Sequence, residues 1–156
     1  MSDTPLLEIC IDSVASAIAA EQGGAARVEL CQNLFEGGTT PSMGTVYHAL
    51  QQVGIKVNVI IRPRGGDFLY SDDEFAVMKN DIVALKEAGI NGVVIGMLNA
   101  DGTIDTERTR QLIELARPLE VTFHRAFDVT ADPFRSLDEL IQLDVDRLLT
   151  SGQEPS

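Results

Sequence analysis

The run Leu7-Glu8-Ile9-Cys10-Ile11-Asp12 alternates apolar and polar side chains, and Arg27-Val28-Glu29-Leu30-Cys31 and Lys56-Val57-Asn58-Val59-Ile60-Ile61-Arg62 repeat the pattern. Successive side chains of a strand point to opposite faces. Leu7, Ile9 and Ile11 therefore oppose Glu8, Cys10 and Asp12; Val28 and Leu30 oppose Arg27, Glu29, Cys31 and Asn33; and Val57, Val59 and Ile61 oppose Asn58, Ile60, Arg62 and Arg64. An open, doubly wound sheet is covered on both faces by helices and leaves no room for Glu8, Glu29, Asn58 and Arg62. A closed barrel has such room, because its apolar list packs outward on helices while its polar list points into a lumen.

The rest of the chain repeats the unit of a short Val/Ile/Leu-rich run followed by a longer helical segment, which predicts alternating strand and helix around a parallel sheet. Strands are expected at residues 6–11, 27–31, 56–61, 92–96, 120–123 and 146–150. Ser71 with Glu74 reads as a capping box, and Thr40-Pro41 and Asp132-Pro133 read as helix starts with proline at the first helical position. Phe75, Met78, Ile82 and Leu85 make one apolar stripe that Gly89 terminates. The fold class is therefore α/β, a TIM (β/α)8-type barrel, with only about six of the eight strands such a barrel needs. Residues 1–156 are expected to form one domain, with the end at 151–156 reading as a cut within a loop.

The 156 residues are 44% hydrophobic and only 5% aromatic, which fits an ordinary globular chain and excludes a disordered one. Twenty-four acidic against 12 basic side chains give a net charge of -12, which repels nucleic acid and anionic membrane surfaces. There is no uninterrupted apolar run of about 20 residues, and Met1 to Leu7 lacks a basic segment followed by an apolar one, so a cytoplasmic chain is expected. In that compartment Cys10 and Cys31 are expected to stay reduced.

Both cysteines fall on the inner list of adjacent strands, which lie about 4.8 Å apart. Two thiolates in mutual reach suit Cu(I), and Zn less completely; packing as small buried hydrophobes is the alternative. Arg62-Pro63-Arg64-Gly65-Gly66 follows the third strand at the end where barrel active sites assemble, making Arg62, Arg64 and, after the fifth strand, Arg125 candidate contacts for a carboxylate or phosphate. Alternatively, Arg62 neutralises Glu8 or Glu29 in the lumen. His124 is placed to move a proton or ligate a metal, with Asp128 orienting it or capping the next helix. Glu8, Glu29, His124 and Asp128 are the candidate catalytic groups; His48 looks incidental.

Taken together, the segments 7–13, 29–31, 36–42, 61–71, 122–128 and 149–152 resemble the CutC family of copper homeostasis proteins over nearly the whole chain. That resemblance implies a cytoplasmic TIM barrel, commonly a homo-oligomer, that binds Cu(I) with cysteines at the positions of Cys10 and Cys31. Members continue past Thr150-Ser151-Gly152 through two further strands and a glycine-rich loop, so this chain reads as C-terminally truncated. Three functions follow as expectations: copper homeostasis through Cu(I) binding, an enzyme acting on a small anionic substrate, or an interaction subunit whose lumen charges only pair with one another.

Overall fold

A computed structural model of the chain describes residues 5–154, so the readings that touch residues 1–4, 155 and 156 lie outside the described residues. Strands and helices alternate as β1 (Glu8–Ile11), α1 (Val14–Gln22), β2 (Arg27–Leu30), α2 (Met43–Gln52), β3 (Lys56–Ile60), α3 (Asp72–Ala88), β4 (Gly92–Ile95), α4 (Thr106–Ala116), β5 (Glu120–Phe123), α5 (Pro133–Gln142) and β6 (Arg147–Leu148). Short 3₁₀ turns follow β2 at Leu34–Glu36 and β5 at Arg125–Val129. The strands pair in parallel in the order β1-β2-β3-β4-β5-β6.

The two faces separate as the alternation requires. Val28, Leu30, Val57, Val59, Ile61, Val93 and Ile95 join the helices in the outer core, whereas Cys31, Ile60 and Val94 form a small cluster of their own on the inner face. The sheet is curled, because Glu8 and Cys10 of β1 line the same small cavity as Thr122 of β5 and Arg147 of β6. The expected barrel, incomplete at six strands, is therefore the architecture observed.

Local signals placed most helix ends. Ser71 and Glu74 form the reciprocal capping box, Gly89 ends α3 with φ of 88°, and Phe75, Met78, Ile82 and Leu85 are its buried stripe. Asp132 caps α5 ahead of Pro133. Thr40-Pro41 does not start α2; the cap is Ser42, whose hydroxyl accepts from the Thr45 N–H. Thr40 Oγ1 instead accepts from the backbone N–H of Arg62, tying the loop after β2 to the end of β3. A long-range backbone donor has taken the side chain that proximity to a proline assigned to the helix.

The inner polar groups divide into two layers. At the strand beginnings Arg27 pairs with Glu8 at 2.6 Å, and Glu120 receives both Lys56 and Arg147 at 2.9 and 2.7 Å. These pairs close the floor of the lumen, with three cations set against two carboxylates. Above them stand Cys10, Glu29, Asn58 and Cys31, and at the strand ends Arg62 and His124.

Candidate metal and ligand site

Register brings the thiols together. Cys10 is the Cα partner of Glu29 across β1 and β2, and Cys31 follows Leu30 as β2 ends. The two Sγ atoms lie 3.5 Å apart without a disulfide, and the Cys31 thiol also lies 3.7 Å from a Glu29 carboxylate oxygen. Sulfur and oxygen ligand atoms of Cys10, Glu29 and Cys31 all fall within 4.8 Å of one another. Cys31 is buried and Cys10 is exposed, so the pair has one anchored and one accessible member.

Protonation follows from burial. Glu29 is pushed up to about 7, first by burial, then by the nearby Glu8 charge, with the Cys31 hydrogen bond opposing. Its carboxyl therefore stands near the balance between neutral and ionised forms at neutral pH, the condition suited to acid–base chemistry. The Cys31 thiol is held well above its ordinary range by its contact with Cys10, then by burial and the Glu29 charge. A soft cation bound here would displace these protons and supply the positive charge that burial denies the ionised groups. Gly38, at φ of 91°, backs onto the pair: a Cβ there would sit 3.2 Å from Cys31 Sγ.

Cys10, the accessible member of the pair, opens into a cavity of about 390 Å³ at the strand ends, lined also by Glu29, Ile60, Arg62, Phe68 and His124 and by Glu36, Arg125 and Asp128. Arg62 is buried but does not neutralise Glu8 or Glu29. Its Nη1 donates to the carbonyls of Glu36 and Gly38 and its Nη2 to that of Gly66, while its guanidinium stacks 5.0 Å from the Phe68 ring centre. Glu8 already has Arg27 as its partner.

Arg64 stands outside this cavity. β3 ends at Ile60, so the alternation that placed Arg64 inward no longer applies; it binds Glu74 and Asp67 and lies over Tyr70. Asp128 does not orient His124 and does not cap α5, which Asp132 does. Burial opposes ionisation of Asp128, but hydrogen bonds from Thr150, Arg125 and the backbone N–H groups of Ser151 and Gln153 prevail and hold its carboxyl far below the usual range. Arg125 donates from Nε to Asp128 and from Nη2 to Ser151, fixing it at the rim.

His124 is neutral, held down at about 3 by burial and then by the Arg62 charge. It therefore offers the cavity a hydrogen-bond donor rather than a positive charge, and proton shuttling near neutral pH is disfavoured. Its ring packs under Phe68 at 5.0 Å and directly against Gly96, where a Cβ would overlap the imidazole at Cε1 and Nδ1. Phe68, Gly96, Glu36, Val129 and Leu149 complete this region; Glu36, Phe68 and Leu149 fall in segments that carry the family resemblance, but strand alternation does not extend to loop residues and assigned none of the five to the site.

An incomplete TIM-type barrel with a thiol pair and a carboxylate inside its lumen defines the class. The CutC family profile matches residues 5–156, and the chain belongs to that family. A CutC family protein of Mesorhizobium japonicum is 55% identical over 152 residues, covering 97% of this chain and 59% of its own length. The human copper homeostasis protein cutC homolog is 56% identical over 151 residues, covering 97% of this chain and 55% of its own. The chain thus spans under two thirds of the length of these relatives. The crystal structure of a Streptococcus agalactiae CutC superposes with a TM-score of 0.91 at 39% identity, covering 97% of this chain and 74% of that one. A phosphonomutase of Burkholderia cenocepacia superposes with a TM-score of 0.65 at 15% identity, a likeness of barrel fold alone.

Proposed function

We propose that the chain acts in copper homeostasis by binding Cu(I) through Cys10 and Cys31, with Glu29 as a third, oxygen ligand. The observation that carries this reading is the 3.5 Å separation of two reduced sulfurs with a carboxylate beside them. Thiolates are soft ligands that select Cu(I), and the net charge of -12 favours the approach of cations. Two sulfurs on opposite sides of one ion, each bonded at about 2.3 Å, would stand about 4.6 Å apart. The pair at 3.5 Å is closer than that, which suits a bent arrangement with room for a third ligand. The names of the mouse and human relatives, copper homeostasis protein cutC homologs, support the same role. Cytoplasmic residence and homo-oligomeric assembly belong to this reading; cell fractionation and sedimentation test them. Among the described residues no helix is long and apolar enough to cross a membrane.

Anaerobic Cu(I) titration against a competing chromophoric chelator tests the site. Cys10→Ser and Cys31→Ser should each weaken binding by about 100-fold or more, and Glu29→Gln by about tenfold, the range for supporting ligands. Unchanged affinity in both cysteine variants would refute the site.

A further inference from the structure

We propose that the cavity at the strand ends binds a small organic monocarboxylate, held between the Arg62 guanidinium and the Nε2–H of His124. The two contacts are distinct from the thiol pair, of which Cys10 alone lines the same cavity.

A guanidinium carries five N–H donors. Three of those on Arg62 are used on the carbonyls of Glu36, Gly38 and Gly66, and Nε is buried without a partner among the described residues. No carboxylate stands within ion-pair distance of Arg62 among the described residues, although the side chain is only 5% exposed. A buried cation held by carbonyl dipoles and one aromatic face, with no counter-charge, is stabilised by an anion brought to it. Burial raises the Tyr70 phenol and the Arg62 side chain beside it opposes this by charge and by hydrogen bonding, but no partner stands within full hydrogen-bond distance of the hydroxyl, and Tyr70 does not line the cavity.

His124 supplies the second contact. Its Nδ1 accepts the Ala126 N–H at 3.1 Å, so the neutral ring carries its proton on Nε2. Nε2 is buried without a partner among the described residues. A buried donor left unpaired costs about 1–3 kcal/mol, which a ligand oxygen recovers.

The surroundings choose the ligand class. Ile60, Phe68, Val129 and Leu149 form an apolar wall, and the cavity lies at the lower end of the roughly 300–1,000 Å³ of small-molecule sites. Glu36 and Asp128 at the rim and Glu29 below oppose a dianion, whereas a single negative charge matches Arg62. A carboxylate on a compact apolar body meets all three conditions.

Benzoate is the probe, titrated by ligand-observed NMR with a copper chelator present, beside benzamide as its neutral isostere and inorganic phosphate. Benzoate should bind with Kd of about 1 mM, and benzamide and phosphate at least about tenfold more weakly. His124→Phe keeps a ring beneath Phe68 and removes the donor; it should weaken benzoate about tenfold. With the chelator keeping copper from the thiols, benzoate binding reads this site alone, so a failed Cu(I) titration and a failed benzoate titration are distinguishable. Equal binding of benzamide, equal or tighter binding of phosphate, full affinity in folded His124→Phe, or no benzoate binding at about 50 mM would each overturn it. The benzoate and benzamide comparison on the unaltered chain decides the matter even where the variant fails to fold.

Discussion

Glu29→Gln should make the pH dependence of stability visible in a way that few single substitutions do. Burial, then the Glu8 charge, raise the Glu29 carboxyl from 4.5 to about 7. A folded pKa above the unfolded one means that stability is fully present below pH 4.5 and is lost as pH rises through about 7. Each unit is worth about 1.4 kcal/mol, so the unaltered chain gives up about 3 kcal/mol across that window, and the Glu29→Gln variant, whose amide does not ionise, gives up none of it. Glu29 is only 6% exposed, so solvent screens little of this. His124 has the opposite sign: depressed from 6.5 to about 3, it adds stability above pH 6.5 that is lost as pH falls toward 3. Between about pH 4.5 and 6.5 the two slopes nearly cancel in the unaltered chain, and the variant should show the histidine slope of about 1.4 kcal/mol per unit alone. Urea denaturation followed by circular dichroism from pH 4.5 to 8 measures both chains. The variant should match the parent at pH 4.5 and exceed it by about 3 kcal/mol at pH 8. A difference that stays flat over the whole range would show that Glu29 ionises alike in both states and would refute the reasoning.

Two further outcomes follow from burial and close packing. Iodoacetamide should label exposed Cys10 at least about tenfold faster than buried Cys31, whose thiol is held in its protonated form; peptide mass spectrometry over a time course reads the ratio, and equal rates would contradict the placement. Gly96→Ala puts a methyl group inside van der Waals distance of His124 Cε1 and Nδ1, so the ring must leave its seat under Phe68. The urea midpoint should fall by the equivalent of about 2 kcal/mol, and an unchanged midpoint would mean that the ring sits elsewhere.

The strand alternation at Glu8-Ile9-Cys10 and Glu29-Leu30-Cys31 determined the barrel and the inward placement of both thiols, because period-two patterning is a property of the strand itself. The capping box at Ser71 and the stop at Gly89 were equally legible, being contacts between residues near in sequence. Beyond the strand ends this kind of reading loses its footing. Arg62, Arg64, His124 and Asp128 sit in loops, where a side chain's direction depends on which distant carbonyl or carboxylate reaches it first. Tertiary structure alone decided that Arg62 is held by three carbonyls, that Arg64 turns away to Glu74, and that Asp128 serves Thr150 and Ser151 rather than His124. It also decided the protonation of Glu29 and His124, since burial is set by the whole packed structure and cannot be assigned residue by residue along the chain.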